Sequence, residues 1–233
     1  MIDIHTHCLP GIDDGASDVS ESIRMLEESR RQGVRLVVAT PHCTLHHPMA
    51  VSEFLANRER AFSLLEDEIK KTKSTIPIIL KGAEVYLDHD ISDIDGIEKL
   101  CIGNTNYMLV EFSRETVSPM VPEWLYSLNV KGIKPVVAHI DRYFEWEEIL
   151  NLVSGTDIMF QINADVFLSF FGRRHVKKIL EYGFEYIVSS DMHNMEERIT
   201  RMKEAKKKIS RTFPNLAKEL LWDNAYEIIK GDL

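Results

Sequence analysis

The sequence predicts an α/β fold with parallel strands, and three features of its 233 residues carry this prediction. Seven short runs rich in β-branched residues recur along the chain. Longer amphipathic segments separate these runs, as in consecutive βαβ units. No Gly/Ser-rich or Pro-rich linker interrupts the alternation, so residues 1–233 are predicted to form a single domain. The alternation fits either an open doubly wound sheet or a barrel.

The predicted strands are short and the predicted helices follow them in order. The strands cover residues 2–4, 36–39, 78–80, 107–110, 135–138, 158–162 and 186–188. The helices cover residues 20–32, 51–73, 122–128, 146–153, 174–182 and 196–211, with one or two closing helices in 215–233. Gly33 and Gly183 directly follow helical segments, as expected of residues that end helices.

A polar residue follows every predicted strand at its carboxyl end, and most of these residues are metal-ligand types. In a parallel sheet or barrel, these ends converge on one face. A satisfied buried histidine or a helix cap would explain any single residue, but the same position relative to the strand recurs along the chain. We therefore predict that one metal site collects His5, His7, His42, Glu84, Glu111, His139, Asp191 and His193.

The turn after the first strand adds two more carboxylates, Asp13 and Asp14, although an aspartate there also fits an Asx turn. Imidazoles and carboxylates without thiolate suit Mn, Fe or Zn, and the set is too large for one tetrahedral ion. Two or three divalent cations would offset the repulsion between the carboxylates. Such a cluster would give a hydroxide nucleophile from a bridging water, which predicts metal-assisted hydrolysis of a phosphate ester.

Composition excludes several classes of protein. The formal net charge of -9 argues against a nucleic-acid-binding surface. Neither a signal peptide nor a membrane span is predicted, and the odd cysteine count without a CxxC pair indicates a reduced, cytoplasmic protein. A cysteine-dependent phosphatase needs an arginine six positions after its cysteine. The residues six positions after the cysteines are Asp14, Met49 and Tyr107.

Six motifs then occur in order along the chain: HxH near the start, TPH, GAE, a strand-end glutamate, HxxR and SDMH. This combination resembles the PHP superfamily, named for polymerase and histidinol phosphatase domains. The resemblance implies a distorted seven-stranded (β/α) barrel of PHP type. It also implies a trinuclear metal site at the C-terminal ends of the strands.

Longer sequence segments indicate which class of enzyme within this superfamily the chain resembles. "DIHTHCLPGIDDG", "ATPH", "GAEVYL", "HIDRY", "QINA" and "SSDMHN" closely resemble the manganese-dependent protein-tyrosine phosphatases of capsule and exopolysaccharide operons. The resemblance covers nearly the whole chain. It implies that the substrate is a phosphotyrosine protein, namely a bacterial tyrosine kinase with a tyrosine-rich tail. The departures are Ile140-Asp141, where Pro-Glu is the usual form, and Thr6 and Cys8 in place of commoner residues. None of them removes a ligand.

The resemblance also implies roles for individual residues. Asp14 in "GIDDG" becomes the ninth metal ligand beside the eight strand-end residues, and Asp13 supports the turn or a ligand. Arg142 and Arg198 would bind the phosphate, which agrees with the fork of donors that a guanidinium offers. Two alternatives stay open: another PHP phosphoesterase acting on histidinol phosphate or a nucleotide, and a non-catalytic binding module. The complete ligand set argues against the second.

Overall fold

The computed structural model describes residues 1–47, 49–72 and 74–232, and these ranges contain nine β-strands. Seven of them are the predicted strands, with ends that differ by one or two residues. The other two, β3 and β5, span only two and three residues, which is too short for a sequence pattern to reveal. The strands are β1 Ile2–Thr6, β2 Leu36–Ala39, β3 His42–Cys43, β4 Ile78–Lys81, β5 Glu84–Tyr86, β6 Tyr107–Glu111, β7 Lys134–Val137, β8 Met159–Asn163 and β9 Glu185–Ser189.

The described strands form two sheets in which all paired neighbours are parallel, which confirms the predicted α/β class. The first sheet has the order β1-β2-β4, and the second has the order β3-β5-β6-β7-β8-β9. At the outer edges, β1 lies beside the segment that follows β9. A parallel bridge joins Thr6 to Met192, and the backbone N–H of His7 donates to the Met192 carbonyl at 2.9 Å. The carboxyl ends of β1 and β9 therefore lie side by side.

The helices follow the predicted order. Their bounds are α1 Val19–Arg31, α2 Ala50–Lys71, α3 Val121–Val130, α4 Trp146–Leu152, α5 Phe170–Leu180, α6 Met202–Thr212 and α7 Asn224–Ile229. Helix α5 begins four residues before the predicted start because Ser169 caps it, its hydroxyl accepting from the Gly172 N–H at 2.8 Å. Lys73 and Leu233, the last residues of two predicted segments, lie outside the described residues. No helix in the described ranges is long and apolar enough to cross a membrane.

The predicted helix over 196–211 is wrong at its start, because α6 begins at Met202. The Asn194 side chain accepts from the backbone N–H groups of Glu196 and Arg198, each at 3.0 Å. An asparagine that binds nearby backbone donors competes with helix formation and favours a turn. The N–H of His193 also donates to the Arg198 carbonyl at 3.0 Å. Arg198 therefore lies in a loop that folds back on His193.

The core has two faces because alternate residues of each strand point to opposite sides of the sheet. Leu36, Leu109 and Ile187 belong to an inner cluster, whereas Val37 and Val110 face the outer helices. Helix α7 completes the inner cluster with Ala225, Ile228 and Ile229. Both faces are buried, so the free carboxyl ends of the strands are left to carry the polar side chains.

Candidate metal centre

His5 and His7 lie at the carboxyl end of β1, and both side chains are fully buried. Their Nδ1 atoms face acceptors: Gln161 Oε1 lies 3.1 Å from His5, and Asp13 Oδ2 lies 2.7 Å from His7. These hydrogen bonds place the proton of each ring on Nδ1 and fix its orientation. The two Nε2 atoms then face each other at 3.1 Å, and Glu84 Oε2 lies 3.2 and 3.3 Å from them.

Glu84, the first residue of β5, occupies the middle of the cluster and is buried. Its Oε2 lies 3.1 Å from His42 Nδ1, and its Oε1 lies 2.9 Å from His139 Nε2. Glu111, the last residue of β6, reaches the same two rings at 3.1 and 3.4 Å. The pairing of β3 with β5 sets this arrangement, since His42 and Glu84 are register partners.

Asp14 enters the cluster from the turn after β1 and not from a strand end. Its side chain is 62% exposed, and its Oδ1 lies 3.3 Å from His193 Nε2 and 3.4 Å from His42 Nε2. The His193 ring stacks on the His7 ring with 3.7 Å between centroids. The turn thus places a solvent-facing carboxylate over two buried or half-buried imidazoles.

Asp191 connects the histidines to both predicted phosphate-binding arginines. Its Oδ1 lies 3.5 Å from His5 Nε2 and 3.6 Å from His7 Nε2. Its Oδ2 lies 2.6 Å from Arg142 Nη1 and 3.1 Å from Arg198 Nη2. The loop that replaces the predicted helix start brings Arg198 to this position.

Two of the candidate ligands have strained backbones. His139 has a φ of 33° and Asp191 a φ of 52°, and they are the non-glycine residues with positive φ among those described. This region costs a non-glycine residue about 1–3 kcal/mol. Such strain collects at functional sites, where the surrounding structure holds a side chain in a required direction.

The carboxylates dominate the electrostatics of the cluster. Burial disfavours the charged form of His42, but the Glu111 and Glu84 carboxylates outweigh it and raise the pKa of His42 to about 11. In the same way, Glu84 and Asp191 outweigh burial and raise the pKa of His5 to about 9. Burial together with the neighbouring His7 lowers the pKa of His193 to about 3. The ionised carboxylates therefore demand cations here, which protons or divalent ions can supply.

The donor set fits divalent ions. Among the described residues, the buried atoms Glu84 Oε2 and His193 Nε2 have no partner with hydrogen-bond geometry, although other polar atoms of the cluster lie 3.1–3.3 Å from them. The facing Nε2 lone pairs of His5 and His7 also repel each other unless a cation lies near them. Three overlapping groups have ligand atoms within 4.8 Å of one another: His7, Asp14, His42 and His193; His5, His7 and Glu84; and His42, Glu84 and Glu111. Their shared members indicate one cluster of sites.

All nine predicted ligands and both predicted arginines therefore lie together. The sequence prediction missed Gln161, which accepts from His5 and also from the His139 N–H at 2.6 Å. It also gave no role to Asn163, whose Nδ2 donates to Asp191 Oδ2 at 3.2 Å. The strand-end position of Asn163 was the available signal. Gln161 lies inside β8, where the strand-end position gives no signal, although the motif QINA quoted above contains it.

Comparison with known proteins relates the whole chain to capsule-synthesis proteins. A family model described as "Capsular polysaccharide synthesis, CpsB/CapC" matches residues 1–230. The tyrosine-protein phosphatase CpsB of Streptococcus agalactiae serotype III is 33% identical over 248 residues, covering 99% of both chains. The tyrosine-protein phosphatase YwqE of Bacillus subtilis is 31% identical over 239 residues, covering 99% of this chain and 92% of the relative.

A solved structure shares the fold over almost the full length. It belongs to the crystal structures of YwqE from Bacillus subtilis and CpsB from Streptococcus pneumoniae, described as unique metal-dependent tyrosine phosphatases. The TM-score is 0.76 at 29% sequence identity, with coverage of 99% of this chain and 94% of that chain. The match extends over both sheets and the segments that carry the cluster.

Proposed function

The chain belongs to the capsular polysaccharide synthesis family CpsB/CapC, and from this premise we propose that it is a metal-dependent protein-tyrosine phosphatase. The observation that carries the proposal is the convergence of five histidines and four carboxylates, with Glu84 at the middle of the cluster. The relatives named tyrosine-protein phosphatases support the reaction, since they match almost the whole chain. All three cysteines are buried and none is followed by an arginine six positions later, which agrees with a metal-dependent reaction.

Two or three divalent ions would be held by the nine candidate ligands, with manganese preferred and iron or zinc as alternatives. Bound divalent ions polarise a phosphoryl oxygen and lower the pKa of water. Gln161 and Asp13 hold the His5 and His7 rings with their Nε2 atoms directed into the centre. Asn163 holds Asp191 from the other side. The ligands are thereby positioned before any ion binds.

Arg142 and Arg198 are proposed to bind the phosphate oxygens that face away from the metal centre. Their side chains are 30% and 31% exposed, so both reach from the buried Asp191 carboxylate to the rim. A phosphate dianion approaches a chain with a formal net charge of -9, so local cations must attract it. A guanidinium serves this purpose well because it presents paired donors to phosphate oxygens.

The substrate is proposed to be a phosphotyrosine protein, most specifically a bacterial tyrosine kinase with a tyrosine-rich tail that regulates capsule or exopolysaccharide synthesis. We also treat residues 1–233 as one cytoplasmic domain. In this interpretation, β2 and β3 are two parts of one bent strand, and β4 and β5 are two parts of another. The nine strands then count as seven, and the two sheets form one distorted seven-stranded barrel of PHP type. The Thr6–Met192 bridge supports closure between β1 and β9.

Turnover of three phosphate esters tests the proposal. A phosphotyrosine peptide, histidinol phosphate and a nucleotide would be compared with the manganese-loaded enzyme. We expect the highest kcat/KM for the phosphotyrosine peptide. Glu84→Gln should abolish turnover, whereas Glu115→Gln at an exposed position of the β6–α3 loop should not. A preference for histidinol phosphate or the nucleotide would contradict the tyrosine phosphatase and favour another phosphoesterase.

A further inference from the structure

A groove lies on the outer surface between α5 and the segment that ends α6. It has a volume of about 520 Å³. Its apolar lining comes from Phe170 and Leu180 of α5 and from Phe213 and Leu216 beyond α6. Phe170 is 62% exposed although it is a large apolar side chain. Exposed apolar surface of this kind, rimmed by polar groups, is typical of a binding site.

The groove is basic although the whole chain is acidic. Arg173, Arg174 and Lys177 line it, and Glu181 lies at its far end. The helix sequence FFGRRHVKKIL of α5 contains no acidic residue. Among the described residues, these three side chains form no ion pair. Arg173 donates instead to the backbone carbonyls of Phe167 and Leu168. Arg174 and Lys177 thus offer exposed, uncompensated positive charge.

The amino-terminal end of the groove follows the carboxyl end of β8 along the chain, and that strand end contributes to the metal centre. Phe170 starts α5, and a 3₁₀ segment over Ala164–Leu168 connects this helix to Asn163, which contacts Asp191. Phe170, Arg174 and Lys177 are spaced at i, i+4 and i+7, so they lie along one face of the helix. From Phe170 to Glu181 this face is roughly 16 Å long, enough for about five residues of extended peptide.

We propose that this groove binds the segment flanking the phosphotyrosine of a protein substrate, and that it selects segments with acidic and apolar side chains. The inference rests on the proposed function for the identity of the substrate. Apolar side chains of the segment would pack on Phe170, Phe213 and Leu216. Its carboxylates would pair with Arg174 and Lys177. The concave shape favours a peptide over a flat anionic surface, and charge complementarity favours an acidic one.

Peptide kinetics test this selection. Two phosphotyrosine peptides of equal length would carry about ten flanking residues on each side, roughly twice the number that fills the groove. One has Asp, Glu, Leu and Phe in its flanks, and the other has Lys and Ser. Free phosphotyrosine reports the reaction without a flank. We expect a KM about tenfold lower for the acidic, apolar peptide, a difference that rising salt concentration reduces.

Matched variants locate the effect. Arg174→Glu combined with Lys177→Glu should raise the KM of the acidic peptide about tenfold and leave the turnover of free phosphotyrosine unchanged. Lys178→Glu is the charge control, because this exposed residue of the same helix does not line the groove. Phe170→Ala should also raise the KM, whereas Phe171→Ala should not, although Phe171 is 79% exposed.

Binding of the unphosphorylated peptides, followed by fluorescence anisotropy with the full chain, separates this proposal from the phosphatase activity. If no phosphotyrosine substrate is hydrolysed, the proposed function fails, whereas groove-dependent binding of the acidic peptide still supports the docking site. The docking proposal is overturned if the groove variants bind the acidic peptide like the controls. It is also overturned if they lose only binding to phosphatidylglycerol vesicles, which would assign the cations to an anionic membrane surface.

Discussion

Arg142 Nη1 lies 2.6 Å from Asp191 Oδ2, which joins a predicted phosphate-binding arginine to a predicted metal ligand. The Asp191 carboxylate is buried, and the charges of His5 and Arg142 outweigh burial and lower its pKa. Its other oxygen faces the histidines of β1. Asp191 therefore connects the proposed substrate site to the proposed metal site. Arg142 is proposed to bind phosphate and also pairs with Asp191, and experiment can separate these two roles.

Replacing Arg142 with alanine should lower kcat/KM on a phosphotyrosine peptide about a hundredfold. Loss of one charge-assisted donor to the reacting group has a cost of about 3 kcal/mol. The metal content should stay at the wild-type value, because the nine ligands remain. Steady-state kinetics with metal analysis of the same preparation provide both measurements.

Arg173 supports two backbone carbonyls and Arg174 lines the proposed peptide groove, so Arg24→Ala in α1 is the control for Arg142→Ala. It removes an exposed arginine outside the groove and outside the candidate ligand set, and kcat/KM on the same phosphotyrosine peptide should not change. An Arg142→Ala enzyme within about threefold of the wild type would be well short of the loss expected for a missing donor. In that case Arg142 does not bind the phosphate, which leaves the metal ions and Arg198 to hold it.

Replacing Gln161 with leucine should weaken metal binding about 10–100-fold. Gln161 is fully buried and accepts from both His5 Nδ1 and the His139 N–H, so its loss frees one ring and leaves two buried donors unpaired. Metal titration followed by calorimetry would measure the affinity. Met159→Leu in the same strand conserves volume in the inner core and should leave the affinity unchanged. Equal affinities in the two variants would contradict the positioning role.

The sequence could predict the candidate ligands that lie at the ends of strands. The strand-end rule found His5, His42, Glu111 and their neighbours, because parallel strands must present their carboxyl ends on one face. This prediction does not require knowing which strands are adjacent in the sheet. Asp14 required the family resemblance, because its contacts depend on how a turn folds over the cluster.

Other features depend on tertiary context. Gln161 points inward from the middle of a strand, and the alternation of the strand does not distinguish it from a core residue, although the QINA motif contains it. The loop before α6 has helix-forming residues, but the Asn194 side chain binds their backbone donors instead. Strand β3 forms by pairing with β5, and β5 forms by pairing with both β3 and β6. Local residue preferences do not predict the role of Gln161, the loop before α6 or the two short strands, because contacts outside the local segment determine these features.

Metal removal should inactivate and destabilise the protein. After treatment with a chelator, the carboxylates around Glu84 lose the cations that offset them. Returning manganese to about a hundredfold above its Kd should stabilise the fold by about 2.7 kcal/mol. For a chain of this size, that corresponds to a rise in Tm of roughly 5–10 °C. Thermal unfolding with and without manganese checks this.

The Glu84→Gln variant is the control for that experiment. Its central ligand is uncharged, so manganese should raise its Tm much less. Magnesium tests selectivity, since imidazole-rich sites favour the transition metals. An unchanged Tm of the wild-type protein on adding manganese, together with full activity in chelator, would rule out a metal-dependent enzyme.

Asp13 and Asp14 are adjacent in the chain but have opposite surroundings. The Asp13 side chain is 5% exposed. Its carboxylate accepts hydrogen bonds from His7 Nδ1 at 2.7 Å and from the backbone N–H of His42 at 3.1 Å. The Asp14 side chain is 62% exposed and faces two imidazoles. Gly15 keeps the turn against β1, because a Cβ there would lie 2.1 Å from the His7 carbonyl oxygen. The turn therefore fixes which aspartate faces inward.

Alanine at the two positions should give two different defects. Asp14→Ala removes a proposed ligand, so it should lose bound metal and most activity while the Tm of the chelator-treated protein stays the same. Asp13→Ala leaves buried donors unpaired, so it should lower that Tm at a cost of about 1–3 kcal/mol. Because Asp13 acts by orienting His7, excess manganese should restore much of its activity but not that of Asp14→Ala. Metal titration of both variants decides between the roles. Full activity and metal content in Asp14→Ala, with loss of both in Asp13→Ala even at excess manganese, would reverse the assignment.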